Sequence, residues 1–263
     1  MESMRAEKLV IAYEKTAIIQ TLNMQIPQGK ITALIGPNGS GKSTVLKALG
    51  RILRPQSGLV YLNGQDIRSL STQAVARKMA ILPQCPLAPG GVTVSELVAY
   101  GRFPHQQGFG NQSSEDRRII AWSLAVTGLE ALAGRFVDTL SGGQRQRVWI
   151  AMALAQQTEL ILLDEPTTYL DLSHQLEILE LLVGLNKRQG CTIVMVLHDL
   201  NLAARFADYM IAIRGGAVIC HGVPEEVMVP AILRDVFQID AQVVNEARTG
   251  RPVCITYDLV KSL

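Results

Sequence analysis

A nine-residue glycine-rich segment, Gly36–Thr44, constrains the fold of this chain more than any other feature. Its sequence, GPNGSGKST, fits the phosphate-binding pattern G-x-x-x-x-G-K-[ST], in which glycines let the backbone approach phosphate oxygens closely. The apolar run Ile31–Ile35 before it predicts a buried strand. Five apolar residues after it have helical spacing: Val45, Leu46, Leu49, Ile52 and Leu53. They predict a helix that ends before Pro55, so strand, loop and helix N-terminus together form an anion site for a nucleoside triphosphate.

Residue types within this segment indicate how the phosphates are held. Lys42 is predicted to reach the β- and γ-phosphates, and the Ser43 hydroxyl is predicted to ligate Mg²⁺. The predicted nucleotide-binding residues of the loop are Gly36, Pro37, Asn38, Gly39, Ser40, Gly41, Lys42, Ser43 and Thr44.

The composition excludes several other classes of protein. Apolar residues make up 48% of the 263 residues and charged residues 18%, which is typical of a globular chain. The net charge of +2 is too small to indicate a nucleic-acid surface, so we expect no nucleic-acid partner. The start, MESMRAEK, leads into no apolar h-region of the kind that signal peptides have, and the longest uncharged window, Met79–Ser95, is interrupted by proline and glycine. We therefore expect neither a signal peptide nor a transmembrane helix, and the four dispersed cysteines indicate reduced thiols.

Two adjacent carboxylates, Asp164 and Glu165, follow the continuous aliphatic run Leu160–Leu163. Such a run is typical of a strand that is buried on both faces of a parallel sheet. Because carboxylates at the end of a buried strand are costly to desolvate, Mg²⁺ on a triphosphate is the predicted partner of Asp164. Glu165 is then predicted to polarise the attacking water, whereas the alternative is that both residues only cap a turn.

A second predicted anion site is the turn Leu140–Gln144, LSGGQ, which we call the signature turn. Ser141 is the predicted N-cap of a helix, and the two glycines expose N–H groups at the positive end of that helix.

Three further residues are ambiguous when considered alone. Gln84 and His198 follow predicted strands, Met79–Leu82 and Thr192–Leu197, and Tyr13 stands at a strand-to-loop edge. For Gln84 the alternative is a turn cap. His198 is either a core histidine or a phosphate sensor, and Tyr13 is either a packing aromatic or an adenine-stacking residue.

In this order the motifs resemble those of ABC-type ATPase subunits, and the resemblance covers essentially the whole chain. Gly36–Thr44 resembles the Walker A motif, Gln84 the Q-loop, Leu140–Gln144 the signature, Ile161–Asp164 the Walker B motif, Glu165 its catalytic carboxylate, Tyr169–Asp171 the D-loop, His198 the switch histidine and Tyr13 the adenine-stacking aromatic. The resemblance implies ATP and Mg²⁺ as cofactors. It implies catalytic roles for Glu165, His198, Gln84 and Lys42, nucleotide contacts from Tyr13, the glycine loop and Ser141, Gly142, Gly143 and Gln144, and metal ligation by Ser43, Gln84 and Asp164.

The implied fold class is α/β. It has a P-loop NTPase core of mainly parallel sheet, an N-terminal antiparallel β layer and an inserted helical subdomain. We predict that residues 1–85 and 159–263 form the core and that residues 86–158 form the inserted signature subdomain. Other predicted elements are the helical segments Ser113–Thr127, Leu129–Gly134 and Pro224–Phe237, paired strands within Ile211–Gly222 and a hairpin over Gln242–Tyr257.

A narrower resemblance rests on Tyr100–Gln106, YGRFPHQ, and on Thr167–Leu182. These segments are similar to the ATPase subunits of bacterial ferric-siderophore importers, which are relatives of the cobalamin and haem importers. The resemblance implies a head-to-tail homodimer in which Lys42, Ser43, Asp164 and Gln84 of one copy and Ser141 and Gly143 of the other hold each ATP. It also implies two membrane permease subunits, indirectly a substrate-binding protein, and a peripheral location on the cytoplasmic face of the inner membrane.

Two alternatives remain open at this point. A cobalamin or haem importer ATPase would have the same architecture. A soluble ABC ATPase of DNA repair or translation belongs to a different class, and the single glycine loop and the lack of heptad repeats count against it.

Overall fold

The structure is a computed structural model, and it describes residues 2–13, 16–106 and 112–260. The elements up to the middle of the chain are β1 (Glu2–Tyr13), β2 (Thr16–Pro27), β3 (Ile31–Ile35), α1 (Lys42–Leu49), β4 (Ser57–Leu62), β5 (Gln65–Asp66), α2 (Thr72–Ala76), β6 (Met79–Leu82), α3 (Val94–Tyr100) and α4 (Ser114–Val126). The remaining elements are α5 (Gly142–Ala155), β7 (Leu160–Leu163), α6 (Leu172–Gln189), β8 (Thr192–Val196), α7 (Leu200–Phe206), β9 (Tyr209–Arg214), β10 (Ala217–Gly222), α8 (Pro224–Val227), α9 (Pro230–Phe237), β11 (Ile239–Asn245) and β12 (Pro252–Leu259). Four short 3-10 helices cover Ile67–Ser69, Phe103–His105, Glu130–Leu132 and Val137–Thr139.

The chain divides into two compact units. The first contains Met1–Ser69 and Thr192–Leu263, and the second contains Leu70–Cys191. The boundaries that we predicted for the inserted subdomain, 86 and 158, remain a prediction.

An antiparallel sheet with strand order β2-β1-β4-β5 forms one layer of the first unit. On β1 the buried positions change from even-numbered residues, Met4 and Ala6, to odd-numbered residues, Leu9 and Ile11. The change occurs at Lys8, which has φ +47° and lies where the register with β2 shifts. A β-bulge of this kind moves the inward-facing positions by one residue. For this reason the apolar residues of β1 do not alternate regularly along the sequence.

The strand that leads into the glycine loop is central to the first unit. β3 pairs in parallel with β8 on one side and with β9 on the other, and β10 continues antiparallel to β9. All five residues of β3 are buried. A strand that is buried in this way is expected to be apolar throughout, as Ile31–Ile35 is, which confirms the predicted strand.

The second unit contains the parallel strands β6 and β7, which pair from Met79 with Leu160 to Leu82 with Leu163. Helices α3, α4 and α5 pack together in the same unit. α3 and α5 approach closely at Gly101, where a Cβ would collide with the carbonyl oxygen of Met152. The predicted mixture of parallel strands, an antiparallel layer and helices is confirmed.

Several predicted element boundaries were wrong. α1 ends at Leu49 with Gly50 as its C-cap, so Ile52 lies beyond the helix and is 55% exposed. The segment Pro224–Phe237 is two helices, because Pro230 cannot donate a hydrogen bond within a continuous helix. Within Leu129–Gly134 only a single 3-10 turn forms. The last hairpin is longer than predicted at both ends, Ile239–Asn245 and Pro252–Leu259.

Candidate functional site

The glycine loop of the first unit has a backbone that other residues could not adopt. Gly36 has φ +151°, and a Cβ there would collide with the carbonyl oxygen of Ile213 on β9. Gly41 has φ +100°, and a Cβ there would lie 2.7 Å from Cδ1 of Ile19. Both positions therefore require glycine, one for close approach to a neighbouring strand and one for a left-handed conformation. The two glycines therefore allow the backbone path that the loop takes from the end of β3 to the start of α1.

Lys42 is the first residue of α1, and its side chain is buried in the loop. Its ammonium Nζ donates hydrogen bonds to the carbonyl oxygens of Gly36, at 2.8 Å, and Pro37, at 3.0 Å. The ammonium is thereby held beside the backbone that the motif uses for phosphate. The N-terminus of α1 has no side-chain cap, so its N–H groups can be satisfied by an anion.

The Ser40 hydroxyl is also buried in this loop. Within the described part of the chain its Oγ atom has no hydrogen-bond partner. Buried polar atoms are usually hydrogen-bonded to protein, water or a bound group, so this hydroxyl is available to a ligand of the loop. An uncapped helix N-terminus, a buried ammonium and an unsatisfied hydroxyl together fit the triphosphate of ATP.

The second unit brings two predicted residues into direct contact. The Gln84 side-chain nitrogen Nε2 donates to Oε2 of Glu165 at 2.5 Å, and the Thr168 hydroxyl donates to the same oxygen at 2.9 Å. This contact forms because Gln84 and Glu165 follow β6 and β7, whose carboxyl ends lie side by side. Thr168 was not among the predicted site residues, and no pattern in the sequence singled it out.

The two adjacent carboxylates differ in their environments. Asp164 is buried at 3% exposure, and its backbone N–H donates to the carbonyl oxygen of Leu82 at 2.9 Å. Glu165 is more exposed and has φ +51°, a left-handed conformation that is costly for a residue with a side chain. The turn therefore directs the two consecutive side chains into different surroundings.

The signature turn begins helix α5 as predicted. Gln144 N–H donates to the Ser141 hydroxyl at 3.3 Å, and Ser141 N–H donates to the Gln144 side-chain oxygen at 3.1 Å. This reciprocal capping box confirms Ser141 as the N-cap. Ser141 and Gly142 are exposed, whereas Gly143 is buried. Exposed N–H groups at the start of a 14-residue helix leave this end accessible to an anion.

The remaining two predicted residues lie in the first unit. His198 follows β8 and is exposed. Tyr13 is the last residue of β1, opposite Thr16. The phosphate-sensing role of His198 and the adenine-stacking role of Tyr13 stay predictions.

The segment Tyr100–Gln106 covers the end of α3 and a short 3-10 helix, and it combines buried with exposed residues. Arg102 is buried and forms an ion pair with Asp116 at 2.8 Å, and its Nη1 donates to the Ala155 carbonyl oxygen. His105 bonds to the Gln156 carbonyl oxygen at 2.8 Å. Only Phe103, 59% exposed and stacked on Tyr100, projects as a large apolar group. Arg102 and His105 therefore connect this segment to α4 and to the end of α5, whereas Phe103 stays exposed.

We expect Arg102→Ala to lower the free energy of unfolding by about 3–5 kcal/mol, because it leaves a buried carboxylate unpaired. Burial opposes ionisation of Asp116, but hydrogen bonds from Arg102 and Ser113 outweigh it and lower the pKa of Asp116. Urea denaturation followed by circular dichroism measures the effect. Arg118→Ala is the matched control, since Arg118 pairs with Glu115 on the surface and should change stability little. Equal losses in the two variants would contradict the structural role of Arg102.

Comparison with known proteins decides the family. Residues 19–168, more than half of the chain, match the family model described as ABC transporter. The chain belongs to the ABC transporter family. It is therefore an ATP-binding and ATP-hydrolysing subunit, as the glycine loop and the carboxylate pair indicated.

Relatives of this ABC ATPase match along its whole length. The iron(3+)-hydroxamate import ATP-binding protein FhuC of Bacillus subtilis is 63% identical over 262 residues, which cover 100% of this chain and 97% of that protein. An inward-facing metal-chelate type ABC transporter has a similar structure, with a TM-score of 0.83 and 29% identity over 97% of this chain and 96% of the other. A dimeric ATP-binding cassette in a post-hydrolysis state with ADP and Pi has a TM-score of 0.73 and 31% identity over 84% and 98%.

No helix in the described part of this ABC ATPase is both long and apolar enough to cross a bilayer.

Proposed function

We propose that this chain hydrolyses ATP to power the import of a ferric siderophore through a partner permease. The observation that carries the proposal is the 63% identity with an iron(3+)-hydroxamate import ATP-binding protein over the entire chain. The similarity to a metal-chelate type transporter supports the same class of cargo. The resemblance of the segment Tyr100–Gln106 to siderophore-importer ATPases supports the same cargo, and Phe103 within it is exposed.

We assign a role in this reaction to residues of each unit. Lys42 and the N–H groups of α1 hold phosphate charge. Glu165 acts as the base that orients and polarises water, and Gln84 and Thr168 fix its carboxylate by donating to Oε2. Because two donors on one oxygen already hold the carboxylate in place, little free energy is spent on ordering it when water binds.

Mg²⁺ would be held by oxygen donors from the Ser43 hydroxyl, the Asp164 carboxylate and the Gln84 side-chain amide. This donor set fits Mg²⁺, which prefers oxygen ligands and is usually bound by one or two carboxylates together with substrate phosphates. The amide of Gln84 donates through Nε2, which leaves its oxygen for the metal. When bound, Mg²⁺ neutralises charge that develops on the phosphate oxygens.

Two copies of the chain are proposed to pair head to tail. The signature turn of one copy then serves the ATP that Lys42 of the other copy binds, and the dimeric cassette with ADP and Pi supports such pairing. Binding closes the pair and hydrolysis reopens it. The pair would lie on the cytoplasmic face of the inner membrane as a peripheral protein, beside permease subunits that receive cargo from a substrate-binding protein.

Glu165→Gln at the chromosomal locus is expected to reduce uptake of radioactive iron, supplied as a ferric hydroxamate, to the background of a permease-deleted strain. Glu180→Gln on the exposed face of α6 is the matched control and should leave uptake unchanged. Uptake of labelled cobalamin and haem is measured in parallel. Normal iron uptake with loss of cobalamin or haem uptake would contradict the cargo and leave the ATPase chemistry intact.

A further inference from the structure

His174, near the start of α6, lies directly against the signature turn. A Cβ built on Gly143 would be 2.8 Å from Cδ2 and 3.3 Å from Cγ of His174. The imidazole ring therefore occupies the space that any side chain at 143 would need. It also accounts for the burial of Gly143 beside an exposed Gly142. The ring covers one side of the backbone that presents N–H groups for anion binding.

The orientation of this ring is fixed by Asp171, the N-cap of α6. The His174 ring atom Nδ1 and the Asp171 atom Oδ1 are 2.8 Å apart, and the same oxygen accepts from the His174 backbone N–H at 3.0 Å. The hydrogen bond from that N–H and the one from the ring lower the pKa of Asp171 to about 2. Asp171 is thus ionised and can only accept, so Nδ1 is the protonated donor. One carboxylate caps the helix and aligns the ring on Gly143.

A second contact joins the same two helices further along. Arg147 on α5 forms an ion pair with Glu177 on α6. On α5, Gly143 and Arg147 are about one helical turn apart, and on α6 the same is true of His174 and Glu177. Because the ion pair is partly exposed, it contributes little specificity. The contact of the ring with Gly143 therefore adds to the capping box that begins α5.

We propose that His174 is a positioning residue for ATP-driven pairing, because it holds the signature turn ready for the γ-phosphate that the second copy brings. The inference rests on the proposed head-to-tail pairing. Removing the ring leaves Gly142 and Gly143 with more conformations in the free chain, and binding must then order them. The cost falls on pairing and not on the binding of ATP to one copy.

The test uses Glu165→Gln as the parent, since slow hydrolysis traps the paired state. His174→Ala in this parent should raise the ATP concentration for half-maximal dimerisation roughly tenfold, as measured by analytical ultracentrifugation. The affinity of the unpaired chain for a fluorescent ATP analogue and its thermal unfolding midpoint should be unchanged. A merely structural role for His174 would instead lower that midpoint. Glu180→Ala on the same helix is the control.

A double-mutant cycle tests the contact itself. Gly143→Ala should lower the thermal unfolding midpoint when His174 is present, because its Cβ meets the ring, and should lower it much less in the His174→Ala background. Equal losses in both backgrounds would overturn the proposed contact. An unchanged dimerisation midpoint in His174→Ala would overturn the positioning role. Dimerisation in solution needs neither permease nor chelate, so a wrong cargo would appear only in the uptake experiment.

Discussion

Lys42→Ala is expected to abolish ATP binding, whereas Glu165→Gln is expected to retain binding and lose hydrolysis. Lys42 provides a buried positive charge beside the loop carbonyls of Gly36 and Pro37. Charge-assisted hydrogen bonds to phosphate are among the stronger ones in proteins, so we expect about a hundredfold weaker binding or more. Glu165 acts on the water instead. Its replacement by an isosteric amide should slow hydrolysis by about 10²–10⁴-fold, the range for a general base.

Two measurements separate these roles. Equilibrium binding of a fluorescent ATP analogue reports on Lys42, and phosphate release reports on Glu165. Gln84→Ala is an informative third variant, since it removes one of the two donors to Glu165 and keeps the carboxylate. It should slow phosphate release less than Glu165→Gln does. Equal loss of binding in Lys42→Ala and Glu165→Gln would contradict the division of roles.

Local sequence signals predicted the elements around the glycine loop well. Ile31–Ile35, Met79–Leu82 and Leu160–Leu163 are strands as predicted, because each is a short apolar run that neighbouring strands bury. The capping box at Ser141 was also readable, since its partner Gln144 lies three residues away. Contacts between residues that are close in sequence leave a pattern in the sequence itself.

Contacts between distant residues were harder to predict. The pairing of Gln84 with Glu165 follows from parallel strand ends, but the donor from Thr168 has no sequence signature. The burial of Arg102 was not predicted, because its partner Asp116 is fourteen positions away, beyond any helical period. His174 was missed for the same reason, since its ring contacts a turn that precedes it by about thirty residues. Only the folded chain shows what surrounds such residues.

We propose that two copies of the chain share each ATP site. Lys42→Ala has a defective phosphate loop and an intact signature turn, and Ser141→Arg has the reverse, because a bulky cation replaces the exposed N-cap of α5. Each variant alone can form no complete site. A mixed dimer forms one complete site from the loop of the Ser141→Arg copy and the turn of the Lys42→Ala copy. Random pairing in an equimolar mixture gives about half mixed dimers, and therefore about a quarter of the sites of the unmodified protein.

Single-turnover phosphate release from that mixture tests the claim most directly. We expect each variant alone to release no phosphate above the buffer rate. The mixture should show a burst with about a quarter of the amplitude of the unmodified chain, since hydrolysis requires both partners of a two-fold pair. A mixture of Lys42→Ala with Glu180→Ala controls for dilution. A mixture of Lys42→Ala and Ser141→Arg that stays as inactive as its components would contradict a site shared between two copies.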